Sequence, residues 1–207
     1  PWPGRPLLHS ELTRHNDLWY TYINNSIRLW EGLSLKTIVV DSCSLILLSK
    51  GSLLETLAES FPLVIPKEVF HEVVNKDTLK KYPDAGVISN LVSAKRIRVV
   101  GVDRTAKKLP ISLGKGELEA VALVKQTAGS ILLTDDGRAI KACRYMKLPF
   151  LISPRITVEL YRLGKIDFTK AKNSIEKLRI IGRYPPDIIA EALLKLEEIE
   201  DAKTNNG

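Results

Sequence analysis

The chain is short of several residue types, and each shortage closes off a class of protein. It has two cysteines, Cys43 and Cys143, and three histidines. The cysteines form no Cys-x-x-Cys pair, so neither a zinc ribbon nor a disulfide framework is expected, and a reducing compartment is. Aromatic residues make up 6%, and there is no run of aromatics of the kind that stacks bases on a sheet. No apolar stretch approaches the roughly 20 residues needed to cross a bilayer. Pro1 to Lys36 carries charges throughout and lacks the apolar core of a signal peptide. The expectation is a cytoplasmic protein with no membrane partner. Internal repeats and low-complexity segments are also lacking.

What remains is the composition of an ordinary globular protein, 44% hydrophobic and 27% charged over 207 residues, enough for one substantial core. The formal net charge is +7, unevenly spread. From Asp187 onward there are six acids and two bases, which leaves the preceding 186 residues with 29 bases against 18 acids. A basic body suits a polyanionic partner such as nucleic acid, although many basic proteins bind none.

Short β-rich runs alternate with helical stretches. Thr37 to Asp41 is an almost wholly apolar run, as expected of a buried parallel strand. Leu63 to Ile65, Arg96 to Val100, Ser130 to Thr134 and Pro149 to Ile152 are further strand candidates. Between them, Ser44 to Ala58 has helical periodicity through Leu45, Leu48, Leu53, Leu54 and Leu57. Pro66 suits the first residue of a helix containing Val69, Val73 and Val74. Thr78 to Ser93, Glu117 to Gln126 and Asp136 to Met146 also read as helices, and the remainder is helical with a break near Tyr184-Pro-Pro186. The alternation predicts an α/β fold with a mainly parallel sheet. Residues 1–36 are expected to form a helical extension, with Leu12, His15, Trp19, Ile23, Ile27 and Trp30 on one face, that a compact domain starting near Leu35 does not require. The core domain is expected over 37–165, attached helices over 166–200, and a disordered tail over 201–207.

Four acids fall at comparable points of four separate units. Asp41 ends the first strand, and Asp135 with Asp136 ends a later one. Glu72 lies in the helix after Pro66, and Glu117 opens the helix after Gly114-Lys-Gly116. In parallel α/β sheets, sites form outside the carboxyl ends of strands. Each acid also has a plain structural reading: Asp41, Asp135 or Asp136 as a helix N-cap, Glu117 complementing a helix dipole, Glu72 on a solvated face. Their joint placement is harder to explain that way. Two carboxylates about 4 Å apart repel by roughly 4 kcal/mol at an effective dielectric near 20. A cluster of four would therefore hold protons or a divalent metal. Oxygen donors without a His or Cys pair favour Mg²⁺ or Mn²⁺ over Zn²⁺. Such an ion suits hydrolysis of a phosphodiester.

The segments carrying these acids resemble the PIN-domain family, in the branch of VapC-like toxins. Val39-Val-Asp41-Ser-Cys-Ser-Leu-Ile46 is similar to the opening strand of that family. Val64-Ile-Pro-Lys-Glu-Val-Phe-His-Glu72 is similar to its second strand and helix. Leu113-Gly-Lys-Gly-Glu117-Leu-Glu-Ala resembles its Gly-Glu-x-Glu-Ala helix, and Leu132-Leu-Thr-Asp135-Asp-Gly-Arg138 its Thr-Asp-Asp segment. The resemblance covers roughly residues 37 to 165 and some of the C-terminal helices. It implies a three-layer α/β/α sandwich and a pocket of Asp41, Glu72, Glu117 and Asp135 binding Mg²⁺ or Mn²⁺, with Asp136 as auxiliary ligand or helix cap. It further implies an endoribonuclease, the toxin of a toxin–antitoxin pair, forming a homodimer neutralised by a small antitoxin. One position departs from the pattern: two residues after its first Asp the family usually has Ser, Thr or Asn, and this chain has Cys43, a weaker hydrogen-bonding group. Ser42 and Ser44 flank it.

Ser42, Lys115, Arg138 and Lys141 are candidates to hold RNA, the last two recurring at helical spacing with Arg144. A solvated basic face explains the charged ones equally well. His71 reads as a surface or packing residue rather than a ligand, and Cys143 as a core residue. The competing reading is a PIN-like module that binds RNA or protein without cutting. A phosphatase with an aspartyl nucleophile would want an Asp where Cys43 stands. A phosphorelay receiver would want its acidic pair after the first strand.

Overall fold

Three consecutive apolar residues, Ile38–Val40, form β1 and are fully buried. A strand covered on both faces needs no polar alternation. The same holds for β2 (Leu63–Pro66) and β4 (Ile131–Leu133), whereas β3 (Ile97–Val100), at the sheet's edge, is partly exposed. With β5 (Phe150–Leu151) they make a five-stranded sheet of order β3-β2-β1-β4-β5, every pairing parallel. The computed structural model describes residues 37–103 and 112–205. The segment 1–36, expected to be helical, lies outside the described residues.

Helices connect the strands: α1 (Ser42–Lys50), α2 (Leu54–Ser60), α3 (Lys67–Val73), α4 (Lys76–Lys81), α5 (Pro83–Ser93), α6 (Lys115–Gln126), α7 (Gly137–Met146), α8 (Ser153–Arg162), α9 (Phe168–Ile181) and α10 (Pro186–Thr204). Val39, Val64 and Leu132 stand side by side in register on one face of the sheet. There they meet Ala120, Val121 and Val124 of α6 and Ala139, Ala142 and Cys143 of α7. The alternate residues Ile38, Leu63 and Ile131 point to the opposite face and are equally buried. Away from α6 and α7, α1 packs with α2, α3, α5, α8 and α9. The expected α/β fold, a parallel sheet flanked by helices, is what the structure has. Among the described residues no helix is long and apolar enough to cross a membrane.

Two expected helices are broken. Ser44 to Ala58 divides at Gly51-Ser52, where Gly51 caps α1 and Ser52 takes a left-handed φ of 60°. The periodicity runs through the break because Leu45, Leu48, Leu53, Leu54 and Leu57 all face the same core. Thr78 to Ser93 divides at Tyr82, since Pro83 holds the preceding residue extended and opens α5. At the C-terminal end α10 stays helical through Thr204, four residues into the segment expected as a disordered tail. It packs with α8 and α9. Ser174 of α9 also donates to the Gly51 carbonyl at 3.1 Å, which ties these helices to the end of α1.

Candidate active site

From β1 the chain moves outward through β2 to β3, then returns to the other side of β1 for β4 and β5. The two directions part between β1 and β4, and the crevice beyond their carboxyl ends is where such sheets place a site. Asp41 follows β1 and Asp135 follows β4 by two residues.

Asp41 is 1% exposed. It caps α1, accepting the Ser44 N–H at 2.8 Å, and its other oxygen accepts the hydroxyl of Thr134. Both donors are neutral. Burial pushes its carboxyl up to about 7, with Asp135 adding to the rise while Thr134 and Ser44 oppose it. Asp135 is surrounded by donors. Its Oδ2 accepts the hydroxyls of Ser44, at 2.7 Å, and Ser153. Its Oδ1 accepts the Ser153 N–H at 2.9 Å and the Tyr184 hydroxyl at 2.7 Å. About four donors satisfy a carboxylate. Ser44 thus joins the two aspartates, by its backbone to one and its side chain to the other.

Glu72 and Glu117 reach the same region from α3 and α6. The N–H of Gly116 donates to Glu72 Oε1 at 3.1 Å, and Ser42 donates to Oε2. A Cβ on Gly116 would overlap the Glu72 carboxylate, and one on Gly114 would meet the Glu117 side chain. The two glycines of Gly114-Lys-Gly116 therefore leave room for the two acids. Gly116→Ala is expected to displace Glu72 and cut activity about tenfold or more with little change in melting temperature; an unchanged rate would show that Glu72 need not lie against α6.

Acids from four elements now stand toward the carboxyl edge of a parallel sheet, Asp41 and Asp135 joined through Ser44. A family model described as PIN domain matches residues 37–198. The chain belongs to the PIN-domain family. The match runs past Lys165 into α10, so it takes in the C-terminal helices as well as the sheet. No curated protein matches the chain. The fold of this PIN domain is of nuclease type.

The remaining predicted residues of the PIN domain fall as follows. Asp136 caps α7, its Oδ1 accepting the N–H groups of Arg138 and Ala139 at 2.8 and 2.9 Å. Arg138 pairs with Glu117 at 3.2 Å while its side chain stays 62% exposed, so this guanidinium offsets charge within the acidic group. Lys115 and Lys141 are exposed at the start of α6 and on α7. His71 is exposed and Cys143 is buried in the core. Cys43 lies within the field of Asp41, Asp135, Asp136 and Glu117; burial first, then these charges, push its thiol up to about 12. It stays protonated and is a poor nucleophile. The hydroxyls that the family pattern led one to seek at this position come from its neighbours, Ser42 and Ser44. Sequence reasoning missed Ser153 and Tyr184, which lie far along the chain from Asp135 and carry no local signal. The break at Tyr184-Pro-Pro186 was legible, but its contact was not.

The donors fit a hard divalent cation in kind. They are carboxylate and hydroxyl oxygens, and the buried Asp41 carboxylate, once ionised, has only neutral hydrogen-bond donors to balance its charge. Their spacing is looser. Among the described residues no three His, Cys, Asp or Glu side chains stand close enough to hold one ion. Ligation therefore calls for the carboxylates to draw together.

Proposed function

We propose that this PIN domain is a metal-dependent endoribonuclease that hydrolyses RNA phosphodiester bonds. The observation that carries the reading is the buried Asp41 at the strand switch point, joined through Ser44 to Asp135. A carboxylate held at 1% exposure with neutral partners is costly unless a cation or a proton meets it. Asp41 and Asp135, with Asp136, Glu72 and Glu117 around them, would hold Mg²⁺ or Mn²⁺. When bound, such an ion lowers the pKa of water and stabilises charge on a phosphoryl group.

The chain's own residues supply the rest. Asp41 must release its proton to act as a ligand, and Thr134 favours that release by donating to the ionised form. Ser42 and the Gly116 N–H fix Glu72. Arg138 neutralises Glu117 and, with exposed Lys115 and Lys141, offers charge to RNA phosphates. Ser42 adds a hydroxyl at the rim. As in VapC-like toxins, we take the cell's own RNA as the target and expect a homodimer restrained by a small antitoxin. Growth arrest on expression, relieved by a neighbouring gene, tests that label.

The direct test is cleavage of a mixed structured RNA with Mn²⁺, Mg²⁺ or EDTA. Wild type is expected to cut only with metal, and Asp41→Asn to cut about a hundred- to a thousandfold more slowly. The looseness of the acids favours one other reading, a PIN module that binds RNA or protein without cutting. Retention of RNA by a folded wild type that never cuts it would select that reading.

A further inference from the structure

The C-terminal helices reach the acidic site through one side chain. Tyr184 lies in the turn between α9 and α10 and donates to Asp135 Oδ1 at 2.7 Å. The Ser153 N–H donates to the same oxygen at 2.9 Å. The two oxygens of Asp135 are thus held in different ways. Oδ1 is fixed by a backbone amide and a phenol on a rigid ring. Oδ2 takes two side-chain hydroxyls, those of Ser44 and Ser153, and no backbone donor. The turn is shaped to this ring. A Cβ on Gly182 would overlap the ring of Tyr184, and Pro185 and Pro186 restrict the backbone that follows.

We propose that Tyr184 is a positioning residue of the acidic site, which together with the Ser153 N–H clamps Asp135 Oδ1 and leaves Oδ2, the oxygen facing Ser44, to ligate a divalent cation. The inference rests on the ribonuclease reading above. Donors of this kind behind a ligating group are commonly worth ten- to a hundredfold in metal affinity or activity. Tyr184→Phe removes the hydroxyl and keeps the ring. Gly182→Ala keeps the hydroxyl and displaces the ring.

The experiment is calorimetric titration of Mn²⁺ into wild type, Tyr184→Phe, Gly182→Ala, Asp135→Asn and the Tyr184→Phe/Asp135→Asn pair, with RNA cleavage measured across Mn²⁺ concentration. Tyr184→Phe and Gly182→Ala are each expected to weaken Mn²⁺ binding about tenfold or more. Cleavage by Tyr184→Phe should recover at saturating Mn²⁺, and the change should have no further effect once Asp135 is Asn. A wild type that binds Mn²⁺ no more tightly than Tyr184→Phe overturns the assignment while leaving the nuclease reading intact. An equal loss in the Asp135→Asn background also overturns it, because Tyr184 would then act by holding the turn. A folded wild type that neither binds Mn²⁺ nor cuts RNA removes the nuclease reading, and this proposal falls with it.

Discussion

In EDTA the protein is expected to lose stability between about pH 4 and about pH 7, and Asp41→Asn is expected to prevent most of that loss. Burial holds the Asp41 carboxyl at about 7 in the folded state, against an ordinary value of 3.8. Between the two values the folded chain keeps a proton that the unfolded chain has released. Stability then falls as pH rises. The contribution of the neutral carboxyl is fully present below the unfolded value and is gone above about 7. The difference corresponds to about 4 kcal/mol as an upper bound. In a domain of this size that is about 10 °C in melting temperature. Asparagine keeps the shape and can still accept the Ser44 N–H that Asp41 accepts at 2.8 Å. The variant should therefore melt higher than wild type at pH 8 in EDTA, and close to it only near pH 4. Adding Mn²⁺ should raise the wild-type melting temperature at pH 8 and leave the variant's unchanged. Thermal melts at both pH values with and without metal check this. Parallel curves for the two proteins would mean that Asp41 is ionised in the folded chain without a cation, and the site would need another countercharge. A gain in stability joined to a loss of cutting is expected where an acid is kept for chemistry rather than for folding.

The sequence made the strands legible because they are buried on both faces. Runs such as Ile38–Val40 and Ile131–Leu133 have no polar residue to blur them. The acids were legible for a related reason: Asp41 and Asp135 follow those runs closely, and chain direction alone carries them to the carboxyl edge of a parallel sheet. Helix ends were less so. Apolar spacing records which side of a helix faces the core, and Leu48 and Leu53 face the same core across a break in the backbone. The supporting hydrogen bonds were hardest to foresee. Ser44 and Ser153 lie far from Asp135 in sequence, and a serine shows no preference that would reveal which acid it meets. Tyr184 announced only a turn, through the prolines that follow it. Even the one departure from the family pattern, Cys43, pointed to the right place for a different reason. Two of the residues that carry hydroxyls to the acids stand on either side of it.

Thr134→Val should have its largest effect through Asp41 alone. Thr134 is fully buried and donates its hydroxyl to the Asp41 carboxylate. Valine nearly matches threonine in shape and removes only that donor. The hydroxyl also accepts the Asp136 N–H at 3.2 Å, a weaker neutral contact whose loss does not depend on pH. A hydrogen bond to a charged group is worth about 1.5–3 kcal/mol, so ionised Asp41 would become roughly ten- to a hundredfold less populated at a given pH below its new value. Because a ligand carboxylate must be deprotonated, apparent Mn²⁺ affinity at pH 7 should fall by the same factor and return as pH is raised. Wild type and Thr134→Val would then give cleavage–pH profiles of the same height, the variant's displaced toward alkali. The melting temperature in EDTA should follow the same logic. The variant loses little at pH 5, where Asp41 is neutral in both proteins. At pH 8 it is destabilised by up to the worth of the missing bond. A Thr134→Val profile lowered equally at every pH would instead assign the threonine to packing, and would leave the ionisation of Asp41 to Ser44 and the cation.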